Sequence, residues 1–142
     1  MTSTPIDPTT APYGALALRL ALGIMFVAHA LLKVFVFTIA GTVGFFESVG
    51  FPGWLAPVTI LAELGGGALL ILGIYARWVA LALVPVLLGA VSVHLGNGWV
   101  FSAEGGGWEY PAFLAVASVV QTLLGDGAYA LRPSPMRRLA TA

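Results

Sequence analysis

Three ionisable residues, His29, Glu63 and His94, lie inside long apolar runs of this sequence. An imidazole titrates near neutral pH and a carboxylate can pass a proton on, so these side chains together could bind a polar head group or exchange protons. An ionisable residue in hydrocarbon costs roughly 2.5–3.5 kcal/mol on insertion scales, so it needs a buried partner or a function. These three residues are therefore the centre of a candidate pocket.

Four more residues extend this set. Lys33 follows His29 by one helical turn and would share its face. Glu109 and Tyr110 begin the last apolar run, and Arg19 lies about 8–10 Å deeper than Glu63 on the rise of a helix.

The cluster permits three interpretations. Glu63 could be only a structural counter-ion of Arg19 or Lys33. Alternatively, the residues could line a polar pocket with aromatic side chains above it. Two histidines and a carboxylate could also bind a divalent metal, but these three come from separate segments without local ligand spacing, so we predict no metal site.

Composition places the chain among membrane proteins. It has 142 residues, of which 59% are hydrophobic and 8% charged, whereas soluble domains carry about a quarter charged residues. The formal net charge is zero, which argues against nucleic-acid binding because that needs a basic surface. The chain has no cysteine, so it can form no disulfide, thiolate nucleophile or cysteine-ligated metal site.

Four apolar runs are about as long as a bilayer core is thick. They predict an all-α membrane protein with four transmembrane helices in an antiparallel four-helix bundle. We expect a disordered tail at 1–12, a four-helix domain at 13–131 and a loose basic cytoplasmic tail at 132–142. The predicted spans are 13–37, 55–75, 78–95 and 110–124.

Basic residues predict the orientation, because Lys and Arg are retained on the cytoplasmic side. With four spans, both termini share one side with Arg77, Arg132, Arg137 and Arg138, so both termini are predicted to be cytoplasmic. On this topology His29 and His94 lie about 24 Å above the cytoplasmic ends of their spans, and Glu63 lies roughly 10–12 Å below the outer surface. We therefore expect the pocket in the outer half of the bundle.

A series of short motifs carries a resemblance to a known family. In order, they are Arg19-Leu20-Ala21-Leu22-Gly23 leading to His29 and Lys33-Val34-Phe35, Gly44-Phe45-Phe46, Glu63-Leu64-Gly65-Gly66, Gly73-Ile74-Tyr75-Ala76-Arg77, His94-Leu95-Gly96-Asn97-Gly98 and Gly106-Gly107-Trp108-Glu109-Tyr110-Pro111. Over residues 15–131 the chain resembles the DoxX family of four-helix bacterial membrane proteins. One departure is Ala30 after His29, where the family often has a His-Gly pair.

The resemblance implies a location, a set of site residues and a function. Family members are linked to quinone-dependent respiration, to thiosulfate oxidation and to membrane complexes with soluble thiol and superoxide enzymes. The implied location is the bacterial inner membrane. The family motifs match here at Arg19, His29, Lys33, Glu63, His94, Asn97, Trp108, Glu109 and Tyr110.

We therefore expect a redox-linked, quinone-associated subunit or anchor of an oxidoreductase complex. A partner protein would supply the electrons, and the chain would carry no covalent cofactor and would not be a self-sufficient enzyme. Oligomerisation stays open. Two alternatives also stay open. The first is a small-solute carrier, in which the glycine-rich second span is broken. The second is a non-catalytic scaffold, in which the face containing Gly65, Gly66 and Gly67 binds another membrane protein.

Overall fold

The computed structural model describes residues 6–135, and this part of the chain is helical, with no strand beyond a single bridge between Ile74 and Arg132. The helices are α1 (Ala11–Leu31), extended by a π-helical turn (Leu32–Val36), then α2 (Ile39–Ser48), α3 (Leu55–Leu72), α4 (Ala76–His94), extended by a 3₁₀ turn (Leu95–Asn97), and α5 (Glu109–Leu124).

Three helical segments are long and apolar enough to cross a membrane: Ala11–Val36, Leu55–Leu72 and Ala76–Asn97. They confirm the prediction of an all-α membrane protein. The fourth predicted span corresponds to α5, which is apolar but has only 16 residues. It is shorter than the roughly 17–25 residues usual for a transmembrane helix.

Backbone hydrogen bonds at one end of the molecule hold the helix ends together. Ala128 donates to Pro12 just inside α1, and Tyr75 donates to Arg132 just before α4. The start of α1, the end of α3, the start of α4 and the end of α5 therefore lie at this end, which we call the hairpin end. The π-helical turn, α2 and the loop 98–108 lie at the opposite end, which we call the loop end.

Two glycines of α3 pack against other helices of the same chain. A Cβ on Gly67 would lie 2.8 Å from the carbonyl oxygen of Gly23 on α1, and a Cβ on Gly66 would lie 2.8 Å from Leu83 on α4. Both glycines allow close helix approach, whereas a Cβ on Gly65 would meet nothing within 4 Å. Because α3 is continuous through these residues, the expectation of a broken second span is wrong.

The apolar core lies where α1, α3, α4 and α5 meet, and many large side chains on their outer surfaces are exposed. The buried core includes Leu22, Phe26, Leu70, Leu83 and Leu87. Outward-facing residues such as Ile24, Leu61, Leu88 and Leu123 are half or more exposed. An apolar exterior of this kind fits contact with lipid.

Parts of both predicted tail segments, 1–12 and 132–142, lie within the described residues. Helix α1 begins at Ala11, after a turn in which Thr9 and Ala11 donate to Asp7. At the other terminus, Ser134 donates to the Asp126 carboxylate from both its backbone and its hydroxyl, which holds the chain beyond Arg132. The remainder of the predicted tails, 1–5 and 136–142, lies outside the described residues.

Candidate functional site

An ion pair joins the π-helical turn at the loop end to the middle of α3. Lys33 Nζ is 2.7 Å from Glu63 Oε2 and 2.9 Å from Glu63 Oε1. Glu63 lies in the middle of α3 and is 6% exposed. Because a buried carboxylate needs a paired charge, this contact identifies Lys33, and not Arg19, as the counter-ion of Glu63.

A break in helix geometry positions Lys33. The amide of Phe37 donates to the carbonyl of Leu32, five residues earlier, which is the hydrogen bond of a π-helical turn. The buried hydroxyl of Thr42 on α2 shares its hydrogen between the carbonyl oxygens of Thr38 at 2.9 Å and Lys33 at 3.1 Å. The π-helical turn is thus held by α2, and such turns occur frequently at functional sites.

Both histidines are fixed through Nδ1. His29 Nδ1 lies 2.7 Å from the carbonyl oxygen of Met25, and His94 Nδ1 lies 3.0 Å from the carbonyl oxygen of Gly105. A carbonyl can only accept a hydrogen bond, so Nδ1 carries the hydrogen in each ring and Nε2 is a lone-pair acceptor when the ring is neutral.

Tyr110, in the first turn of α5, packs against His29. The ring centroids are 5.9 Å apart with an interplanar angle of 27°. The Tyr110 hydroxyl is buried and has no hydrogen-bond partner among the described residues. A buried hydroxyl without a partner is unusual, because the large majority of buried polar side-chain atoms are hydrogen-bonded.

The Lys33–Glu63 pair, the two histidines and Tyr110 line a cavity of about 280 Å³ between α1, α2, α3, α4 and α5. Most of its wall is apolar, and aromatic rings from α2 and the following loop close one side. Small-molecule sites usually combine a mainly apolar wall with a few convergent polar groups. The polar lining residues are His29, Lys33, Glu63, His94 and Tyr110, and the aromatic ones include Phe26, Phe45, Phe46 and Phe51.

Arg19 does not belong to this site. It is 1% exposed at the hairpin end, where Nη2 donates to the carbonyl oxygen of Ala128 at 3.2 Å. Its guanidinium fills the space beside Gly73, where a Cβ would overlap it. The expected reach from Arg19 toward Glu63 is therefore wrong, because the side chain turns toward the opposite end of the molecule.

Three other predicted site residues build the loop beside the cavity and do not line it. Asn97 Nδ2 donates to the carbonyl oxygens of Gly105 and Gly106. Glu109 Oε1 accepts from the amide of Phe101 at 3.0 Å. The Trp108 ring meets Trp99 edge to face, with centroids 4.5 Å apart. Asn97 and His94 share the Gly105 carbonyl, so this loop supports the orientation of His94.

The contribution of α2 was not visible in the sequence pattern. Phe45 and Phe46 were named only as part of a family motif, and Thr42 was not singled out. A helix of 10 residues presents too few turns for periodicity to show which face is covered. Within the described residues, no group of three His, Asp or Glu side chains is placed to hold a metal ion.

Comparison with known proteins gives a family and two relatives. The sequence model described as DoxX matches residues 14–96. The Bacillus subtilis (strain 168) protein named "Putative oxidoreductase CatD" is 35% identical over 121 residues, which are 84% of this chain and 85% of that protein. The Escherichia coli (strain K12) "Inner membrane protein YqjF" is 35% identical over 68 residues, which are 48% of this chain and 51% of that protein. No solved structure matches.

Proposed function

Because this chain belongs to the DoxX family of membrane proteins, we propose that it is a membrane-embedded subunit of an oxidoreductase complex that binds a quinone in the cavity at the loop end. The observation that carries this proposal is the cavity itself, in which the Lys33–Glu63 pair and two histidines face apolar and aromatic walls. The name of the Bacillus subtilis relative supports a redox role.

We place the protein in the bacterial inner membrane with α5 as a fourth crossing, which would complete an antiparallel four-helix bundle. Helix α5 spans about 24 Å at 1.5 Å per residue, and local bilayer thinning accommodates short spans.

The positions of the charged residues give the orientation that we propose. Arg77 and Arg132 lie at the hairpin end, and Glu47 and Glu104 at the loop end. Lys33 is neutralised by Glu63. Because basic residues are retained on the cytoplasmic side of the membrane, we place the hairpin end and both termini in the cytoplasm.

The residues of the cavity suit the head group of a quinone. The ring would lie against Phe45, Phe46 and Phe51, and the unpartnered Tyr110 hydroxyl would gain a hydrogen-bond partner. A bound quinone would supply two-electron chemistry coupled to proton transfer, with electrons exchanged through a partner protein. Tyr110 would orient the ring by donating to one of its carbonyl oxygens, and the carboxylate of Glu63 would be a candidate to take part in proton transfer.

Neither alternative function gains a specific observation. A carrier with a broken second span is not supported, because α3 is continuous. A scaffold that binds through the glycine face is not supported either, because Gly66 and Gly67 contact α4 and α1 of the same chain.

Thermal unfolding of the detergent-purified protein with and without a decyl-substituted benzoquinone tests the proposal. A ligand that binds only the folded state raises Tm by mass action, so we expect a rise for the wild type and its loss in Glu63→Gln. Glu104→Gln, which changes an exposed loop carboxylate, is the matched control and should retain the rise. Equal Tm values with and without quinone in the wild type would contradict the proposal.

A further inference from the structure

The hydrogen-bonding groups left free in the cavity are mostly acceptors. His29 and His94 each use Nδ1–H on a backbone carbonyl, so each neutral ring offers only its Nε2 lone pair. The oxygens of Glu63 each accept one hydrogen bond from Lys33, and a carboxylate oxygen has room for a second. A ligand that brings O–H groups would match this set.

The cavity has fewer free hydrogen-bond donors than acceptors. Lys33 directs two of its three N–H bonds to Glu63, which leaves one. The Tyr110 hydroxyl can donate or accept. A ligand with carbonyl oxygens alone would therefore find these two donors, and would leave both Nε2 acceptors without a hydrogen-bond partner.

The histidines lie where two cavities meet. A second cavity of about 540 Å³ extends between the end of α1 and α2, and its wall includes Leu32, Phe37 and Gly41. The residues that line both cavities are His29, Lys33, Phe45, Phe46 and His94. A ring held at this junction would contact both imidazoles, and the second cavity, with its largely apolar wall, would take an attached hydrocarbon chain.

We propose that this junction selects the reduced, dihydroxy form of a lipid-soluble quinone over its oxidised form, with His29 and His94 accepting the two ring hydroxyls at Nε2. The inference rests on the proposed function and adds which redox form is bound more tightly. A net hydrogen bond of about 1 kcal/mol corresponds to about a fivefold change in affinity. We therefore expect the hydroquinone to bind at least about fivefold more tightly.

The test compares a decyl-substituted benzoquinone with its hydroquinone, kept reduced by dithionite without oxygen, in Tm titrations of the detergent-purified protein. The chain has no cysteine, so the reductant breaks no disulfide in it. His29→Phe keeps a ring beside Tyr110 but removes the acceptor, and should lower hydroquinone affinity about fivefold with little change for the quinone. His94→Phe is the second, independent variant. Tyr129→Phe, an exposed residue at the hairpin end, is the control and should bind as the wild type does.

The outcomes separate the two proposals. Tighter hydroquinone binding that is lost in either histidine variant supports both. Equal or tighter binding of the oxidised quinone, abolished by Glu63→Gln, overturns the selection of the reduced form and leaves the quinone site standing. Binding of neither form by the wild type overturns both proposals.

Discussion

Lys33 and Glu63 join the end of α1 to the middle of α3 through two short hydrogen bonds, with Nζ 2.7 Å from one carboxylate oxygen and 2.9 Å from the other. It is the only ion pair within residues 6–135. The pair forms part of the cavity wall, so it contributes both to helix packing and to the electrostatics of the candidate site. Its two roles can be separated by experiment.

Glu63→Gln should lower the free energy of unfolding by about 1.5–3 kcal/mol, because it removes charge-assisted hydrogen bonds and leaves the Lys33 ammonium without its counter-ion. Lys33→Gln combined with Glu63→Gln should recover part of that loss. A double-mutant cycle from denaturant unfolding in detergent measures the coupling. Additive effects of the two single substitutions would show that the contact contributes no stability.

Thr42→Val should destabilise the protein by about 1 kcal/mol, because the buried hydroxyl shares its one hydrogen between the carbonyl oxygens of Thr38 and Lys33. Thr42→Ser keeps this hydroxyl and is the matched control. Hydrogen exchange should also show faster exchange of the Phe37 amide in the valine variant, because Thr42 secures the π-helical turn. Unchanged exchange would mean that the turn is stable without α2.

Neighbouring glycines on α3 should respond in opposite directions to alanine. Gly67→Ala places a methyl group against the Gly23 backbone and should destabilise by about 1–3 kcal/mol through overpacking. Gly65→Ala meets open space and should stabilise by roughly 0.5–1 kcal/mol through helix propensity. Thermal unfolding of both variants measures the difference. A tolerated Gly67→Ala would show that α1 and α3 can separate without cost.

Tyr110→Phe should leave the stability of the ligand-free protein within about 0.5 kcal/mol, because the hydroxyl has no partner among the described residues and the stacking on His29 is retained. Its affinity for the oxidised benzoquinone should fall about fivefold, because carbonyl oxygens need a donor. Tm titration measures both quantities. Unchanged quinone affinity would remove Tyr110 from the site.

The proposed orientation can be tested with single cysteines, since the natural chain has none. Glu104→Cys, at the loop end, should react with a membrane-impermeant maleimide added to intact spheroplasts. Thr9→Cys, at the hairpin end, should react only after lysis. Labelling of both residues from outside would contradict an odd number of crossings between Thr9 and Glu104, which the proposed crossings by α1, α3 and α4 require. The reverse pattern would show the opposite orientation.

The sequence by itself determined the environment and the placement of groups along each helix. An apolar run as long as the hydrocarbon core is thick predicts a membrane span. The span is helical because hydrocarbon does not tolerate unpaired backbone groups. The rise per residue then placed His29, Glu63 and His94 at similar depths. This one-dimensional information singled out seven residues. The structure places five of them around one cavity, His29, Lys33, Glu63, His94 and Tyr110, whereas Arg19 and Glu109 lie outside it.

The tertiary structure decided which groups meet. Arg19 and Lys33 were equivalent candidates for the partner of Glu63, yet their positions on α1 differ by roughly 20 Å along a helix, and Arg19 turns to Ala128 instead. The lateral wall made by Phe45, Phe46 and Thr42 depends on how α2 packs against the π-helical turn and α3. Hydrophobic length and helical rise constrain depth, whereas rotation about each helix axis and the path of connecting segments depend on side-chain packing between residues distant in sequence.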